Sequence, residues 1–61
     1  MVITRDSFYG TMEEVLYSDR ADNFITESEM RNYLKDIKKF IKKAKDGDKY
    51  QYAGYDYIIT N

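Results

Sequence analysis

Four residue types are absent from this chain of 61 residues: cysteine, histidine, proline and tryptophan. Without cysteine, the chain forms no disulfide and holds no zinc through thiolates. Without histidine or cysteine, it lacks the usual general base and the usual thiol nucleophile. No glycine-rich phosphate loop occurs either. We therefore expect no enzymatic activity, no catalytic residue, no cofactor and no metal.

Long apolar runs are also absent. No stretch approaches the ~20 consecutive apolar residues that a membrane-spanning helix needs. The first six residues, Met1 to Asp6, lack the apolar stretch of a secretory signal. We expect a soluble cytoplasmic protein with no membrane partner. Its length suits a single small domain over residues 1–61, with an aromatic core.

Charge is divided unevenly along the chain. Residues 1–30 carry seven acids and two bases, whereas residues 31–61 carry eight bases and four acids. The two halves therefore have formal charges of −5 and +4, which give the overall charge of −1. Such asymmetry indicates either a charged partner or internal pairing of the two halves.

The clearest element is a helix predicted over residues 27–46. Thr26 and Glu29 have the spacing of a capping box, and Ile25 with Met30 has that of a hydrophobic staple. Gly47 suits a left-handed helix end. Apolar residues recur at spacings of three and four along one face. They are Met30, Tyr33, Leu34, Ile37, Phe40, Ile41 and Ala44.

The C-terminal residues predict a β-hairpin. Residues 50–52 and 55–60 are rich in strand formers and flank Ala53-Gly54. A two-residue turn would place the four tyrosines of the hairpin and Ile59 on one face. Ala-Gly is not a favoured two-residue turn, however, and a longer turn would shift the register. Because two strands are marginal alone, residues 1–4 are the candidate third strand.

The N-terminal third predicts a second helix near residues 7–18. Its apolar face consists of Phe8, Met12, Val15 and Leu16, with Tyr9 beside it. Either Asp6 caps this helix, or Thr11 caps a later start. The whole chain thus predicts an α+β fold of two helices followed by an antiparallel hairpin, with a possible short N-terminal strand.

Residues 22–29 resemble the second half of an EF-hand calcium loop, closing with a glutamate on the exiting helix. In that alignment the first and third ligand positions fall on Ser18 and Arg20. Since an arginine is adverse among calcium ligands, we interpret the segment as a polar loop and a capped helix.

Three groups of residues are candidate binding sites. The hairpin tyrosines form either the core or a protein-binding patch, and they are Tyr50, Tyr52, Tyr55 and Tyr57. Acidic side chains offer an anionic surface that can occupy a nucleic-acid-binding groove of a partner: Glu13, Glu14, Asp19 and Asp22. Basic residues spaced by three and four predict a stripe that contacts nucleic acid or is simply solvated: Arg31, Lys35, Lys38, Lys42 and Lys45.

The segment from Asp46 to Tyr57 reads DGDKYQYAGYDY after a lysine-rich helix. This pattern resembles the tail of many small accessory proteins of phages and mobile elements. The resemblance implies a protein that binds and blocks a host protein, as anti-restriction and anti-CRISPR inhibitors do. We predict a non-enzymatic module that inhibits or modulates a host protein. The alternatives are a nucleic-acid-binding protein that uses the basic stripe, and a homo-oligomeric structural component.

Overall fold

A computed structural model describes all residues from Met1 to Asn61. The element order is β1 (Val2–Thr4), α1 (Arg5–Ala21), α2 (Glu27–Lys43), β2 (Lys49–Tyr52) and β3 (Tyr55–Thr60). The predicted α+β class and the two helices are confirmed. Neither helix combines the length and apolar character that a membrane crossing requires.

Helix α1 begins earlier and ends later than the predicted range of 7–18. Its N-cap is Thr4, whose hydroxyl accepts a hydrogen bond from the backbone N–H of Ser7. The predictions of Asp6 or Thr11 as the cap were therefore wrong. Thr4 also closes strand β1, so strand and helix meet with no intervening loop.

Helix α2 begins where the sequence predicts. Thr26 and Glu29 exchange both hydrogen bonds of the capping box. The helix ends at Lys43 rather than at 46, because Ala44 has an extended backbone with ψ of 137°. Gly47 does adopt a positive φ of 93°, but it lies in the following turn, where its N–H donates to the carbonyl of Ile59.

The hairpin adopts the two-residue turn. Tyr52 pairs with Tyr55 and Tyr50 pairs with Tyr57, which is the first of the two registers that the sequence left open. Both turn residues have positive φ, 50° at Ala53 and 81° at Gly54. These values match the turn type whose twist suits a hairpin, although alanine rarely adopts such a conformation.

Residues 2–4 do form a third strand, but they pair parallel to β3, with Val2 opposite Ile58. The strand order is β1-β3-β2, so the sheet is mixed and β3 lies at its centre. The prediction of a purely antiparallel arrangement holds only for β2 and β3.

One face of this sheet and the apolar faces of both helices enclose a single core. Phe8 lies at its centre, with ring centroids 6.0 Å from Phe40, 5.5 Å from Tyr50 and 5.6 Å from Tyr57. These edge and tilted contacts are the favourable aromatic geometries. The nine buried residues are Phe8, Met12, Leu16, Met30, Ile37, Ala44, Tyr52, Tyr57 and Ile59.

Candidate functional site

The loop between the helices is held by hydrogen bonds at both ends. At the end of α1, the N–H of Phe24 donates to the Asp19 carbonyl at 2.9 Å, and that of Asn23 donates to the Arg20 carbonyl at 3.0 Å. Asn23 has a φ of 62°. This is the Schellman pattern of a helix end, with asparagine in the left-handed position that glycine usually takes. Thr26 closes the other side as the cap of α2.

The backbone at Phe24 is therefore held by hydrogen bonds, and its side chain is exposed. Phe24 is 76% accessible to solvent, which is the largest exposed fraction among the large apolar residues. In a Schellman helix end, the residue at this position commonly packs on an apolar partner one turn back. Here that partner position is occupied by Asp19, so the local motif provides no apolar cover for the ring.

A second exposed aromatic residue lies at the hairpin turn. Tyr55 is 68% accessible, although it shares a sheet face with the buried Tyr57. It directly follows the turn at Ala53-Gly54 and lies opposite the buried Tyr52. The tight turn restrains its backbone, so Tyr55 is also presented by an ordered element.

Two surface grooves join these aromatic residues. The larger, of about 470 Å³, is bordered by Tyr55, and the other, of about 420 Å³, is bordered by Phe24. Both grooves share the same three residues, Asp19, Tyr52 and Ala53. We call this continuous surface the aromatic end. It consists of Met1, Val15, Asp19, Phe24, Ile25, Tyr33, Tyr52, Ala53, Gly54, Tyr55, Asp56 and Tyr57.

A hydrogen bond from the Tyr52 hydroxyl to the Asp19 carboxylate lies between the two grooves. Burial raises the pKa of Tyr52, and the hydrogen bond and charge of Asp19 raise it further. The hydroxyl is therefore a donor at neutral pH. On the inner side, the Tyr52 ring meets the Tyr33 ring edge-on, with centroids 5.2 Å apart. The wall between the grooves is thus anchored to both helices.

Carboxylates surround the aromatic end. Asp19 and Asp56 line its grooves, and Asp22 lies in the adjoining loop. Glu27 and Glu29 line a neighbouring polar pocket that also touches Phe24. Arg20 and Arg31 both pair with Glu27, at 3.6 Å and 3.0 Å, and these are the only two salt bridges of the chain. Only the Arg31–Glu27 salt bridge, between residues one helical turn apart, joins the acidic and basic halves.

The structure brings together only part of the predicted tyrosine and acidic sites. Tyr55 is exposed at the aromatic end, whereas Tyr50 is half-buried and Tyr52 and Tyr57 are buried. The expectation that the core would include some of these tyrosines is confirmed. Three of the four rings are thus largely used in packing on the helices.

Among the predicted acids, only Asp19 lines the grooves, and Asp22 caps α1 beside them. At about 100° per residue, Glu13 and Glu14 point more than about 100° away from Asp19 around α1. They lie on other sides of the helix and make no salt bridge. The anionic surface is therefore centred on the loop rather than on the middle of α1.

The predicted basic stripe is exposed along α2. Arg31, Lys35, Lys38 and Lys42 all lie on the helix and are exposed. Lys45 does not continue the stripe with helical spacing, because the helix ends at Lys43. The stripe is thus one residue shorter than predicted.

Sequence reasoning missed Phe24 and Ala53 as site residues. A signal for Phe24 was present, since it is a large aromatic residue that follows Asn23 and lies outside the helical periodicity. For Ala53 the signal was its unfavoured place in a two-residue turn. Both are small departures from local preference, which often occur at functional positions.

Acidic side chains do not converge anywhere in groups of three or more as a metal site would require. In the segment that resembles part of an EF-hand, the Glu29 carboxylate accepts the Thr26 N–H at 3.0 Å. That carboxylate serves the capping box of α2.

Comparison with known protein families, with characterised proteins and with solved structures found no match.

Proposed function

We propose that this protein is a non-enzymatic binding module that docks on a partner protein through the aromatic end. The observation that carries the proposal is Phe24, which is 76% accessible although hydrogen bonds fix the backbone on both sides of it. A small protein gains stability by burying its aromatic residues, and about 1.5–3 kcal/mol is associated with a fully buried phenylalanine. Because Phe24 is mostly exposed, it contributes little of this free energy to the isolated fold.

Preorganisation makes such a side chain effective in binding. An aromatic residue that is already ordered loses little conformational entropy when a partner covers it. Binding energy at protein interfaces is concentrated in a few central residues, among which tyrosine is enriched. Phe24 and Tyr55 lie on either side of the shared wall formed by Asp19, Tyr52 and Ala53. A partner side chain can enter each groove beside them.

The carboxylates around the aromatic end favour a positively charged partner surface. Asp19, Asp22 and Asp56 are not engaged in salt bridges. Complementary charge speeds association and disfavours wrong partners. A basic surface with apolar side chains fits this pattern, and nucleic-acid-processing enzymes use such surfaces to hold phosphates. We therefore propose a host enzyme of this class as the partner, in the cytoplasm of the host cell, with inhibition through occupation of its nucleic-acid-binding surface.

A homo-oligomer is less compatible with this surface. Three of the four hairpin tyrosines, Tyr50, Tyr52 and Tyr57, belong to the core and are not free to hold a second copy. Two copies that met through their aromatic ends would bring the same carboxylates close together, which is unfavourable. Sedimentation at high concentration should therefore show a monomer.

The test compares proteins captured from a host lysate by three variants that carry a C-terminal tag. The wild-type chain and Tyr17→Ser should capture the same specific protein. The double variant Phe24→Ser with Tyr55→Ser should lose it, with at least about a tenfold weaker affinity for the purified partner. Tyr17 is the matched control, because it is an exposed tyrosine (55%) that lines neither groove.

The activity of the captured enzyme on nucleic acid, measured with and without the protein, then tests inhibition. Equal capture by all three variants would show that the aromatic end is not the docking surface. Failure of the wild-type chain to capture any specific protein would also contradict the proposal.

A further inference from the structure

Helix α2 presents a nearly uniform cationic face to solvent. Between residues 35 and 43, six positions are exposed, and five of them are lysine. The sixth is Asp36. We call these five residues the lysine face: Lys35, Lys38, Lys39, Lys42 and Lys43.

The lysine face forms no salt bridges, although Asp36 and Asp48 line the same pocket as Lys39 and Lys43. No lysine of the chain takes part in a salt bridge, because both salt bridges are made by arginines to Glu27. A cation–π contact places the Lys38 ammonium 5.6 Å from the centroid of Tyr9. Even Asp6 and Glu13 of the neighbouring α1 lie outside salt-bridge distance.

The four acidic residues within residues 31–61 accept hydrogen bonds from uncharged donors instead. The Asp36 carboxylate accepts the Tyr50 hydroxyl at 3.3 Å, on the side of α2 that faces the sheet. The other three acids accept hydrogen bonds from backbone or amide N–H groups at 2.8–3.2 Å. They are Asp46, Asp48 and Asp56. These carboxylates hold turns and strands in place and leave the ammonium groups to solvent.

We infer that the lysine face binds the phosphate backbone of nucleic acid. At 1.5 Å per residue, the face is about 12 Å long, and duplex DNA carries one charge per about 1.7 Å of its axis. Several ammonium groups therefore meet several phosphates at once. The face carries no arginine, asparagine or glutamine, the residues that most often read base edges. Binding is accordingly independent of sequence.

This surface is separate from the aromatic end. The loop that carries Phe24 precedes the N-terminus of α2, and the lysine face occupies the C-terminal half of the helix. A protein partner on the aromatic end and a nucleic acid on α2 can therefore be bound together. The protein would then hold its partner beside nucleic acid, or it would block an enzyme with the aromatic end and bind that enzyme's nucleic-acid substrate with the lysine face.

The test is fluorescence anisotropy of a labelled random-sequence DNA duplex, titrated with the protein at several salt concentrations. The wild-type chain should bind at low salt, with an affinity that falls steeply as salt increases. Lys38→Gln with Lys42→Gln should weaken binding and lower the magnitude of the logarithmic salt slope by about 2, since each phosphate contact contributes about 0.9.

The matched control is Arg20→Gln with Lys49→Gln, which changes the net charge equally but lies outside the lysine face. It should keep the wild-type salt slope. An equal loss of DNA binding in both double variants would show that only the net charge matters, and would overturn the inference. The absence of wild-type binding at low salt would overturn it as well. Phe24→Ser should leave DNA binding unchanged, so a failure of the docking proposal is distinguishable from a failure here.

Discussion

The Tyr52 hydroxyl donates a hydrogen bond to the Asp19 carboxylate, 33 residues earlier in the chain. This contact connects strand β2 to the last turns of α1 and separates the two grooves of the aromatic end. It therefore contributes to the stability of the fold and to the shape of the proposed docking surface.

Tyr52→Phe should lower the free energy of unfolding by about 1–2 kcal/mol, because it removes a hydrogen bond to a charged acceptor. Urea denaturation of the single variants and of the double variant with Asp19→Ala measures the coupling between the two side chains. Tyr17→Phe, at an exposed position, should change the stability by less than about 0.5 kcal/mol. Additive effects of Tyr52→Phe and Asp19→Ala would mean that the hydrogen bond contributes nothing.

Stability should decrease at high pH through two tyrosines. Burial raises the pKa of Tyr50 from 10.0 to about 12, and the charge and hydrogen bond of Asp36 add to the rise. The pKa of Tyr52 is raised for the same kinds of reason. Because the unfolded chain releases these protons first, both stabilising contributions are complete below pH 10; that of Tyr50 is lost as pH rises through about 12, and that of Tyr52 is lost in the same direction.

Unfolding by urea at a series of alkaline pH values measures this loss, and NMR titration follows Tyr50 directly. Asp36→Asn removes the charge but keeps an oxygen acceptor, so it should lower the pKa of Tyr50 and make the loss less steep. A Tyr50 titration that is the same in both proteins would rule out Asp36 as a cause.

Arg5 should be important for the end of α2. Its guanidinium donates to the carbonyl oxygens of Ile41 and Ala44 and, at 3.1 Å, to the side chain of Asn61. Cations at a helix C-terminus also interact favourably with the helix dipole. Arg5→Gln should therefore lower the free energy of unfolding by about 2 kcal/mol.

Arg5→Lys should recover only part of this loss, because a point charge cannot reproduce the planar fork of donors. Arg31→Gln removes an exposed salt bridge and should cost less than about 1 kcal/mol. Thermal unfolding of the three variants provides the ranking. Equal stability of the Arg5→Gln and Arg31→Gln proteins would contradict the capping role.

A substitution in the hairpin turn should increase the stability of the fold. Ala53 has a φ of 50°, which costs an alanine about 1–2 kcal/mol, whereas Asn-Gly is the preferred pair for this turn. Ala53→Asn should raise the free energy of unfolding by about 1 kcal/mol. Gly54→Ala, at a φ of 81°, should lower it by at least a similar amount. An Ala53→Asn protein less stable than the wild type would show that the alanine methyl group contributes packing that outweighs the strain.

The start of α2 followed from the sequence, and the observed hairpin register was one of the two that the sequence left open, because both features depend on neighbouring residues. Thr26 and Glu29 are three positions apart, and the turn at Ala53-Gly54 sets which tyrosines face each other. Local chemistry of this kind is visible in a sequence. Of the residues that the sequence singles out for binding, Tyr55, Asp19 and Asp22 lie at or beside the aromatic end, and their contact with a partner stays a prediction.

The errors concern features set by distant parts of the chain. Strand β1 pairs with β3 more than 50 residues later, and no local pattern specifies that the pairing is parallel. The pairing also requires α1 to begin directly after Thr4. At the other helix, Arg5 contacts the carbonyl of Ala44, where the chain leaves α2 earlier than the Gly47 pattern predicts. The larger groove of the aromatic end, which residues of α1 and of the hairpin line, is likewise a tertiary feature.

The central position of β3 in the sheet affects how the chain is made. Residues 55–60 follow every other element in order of synthesis, yet both β1 and β2 pair with them. While the ribosome is still producing this segment, only the two helices and the unpaired strands β1 and β2 are available. The sheet therefore cannot form before residues 55–60 have been synthesised, and removal of residues from β3 should affect the entire sheet rather than one edge.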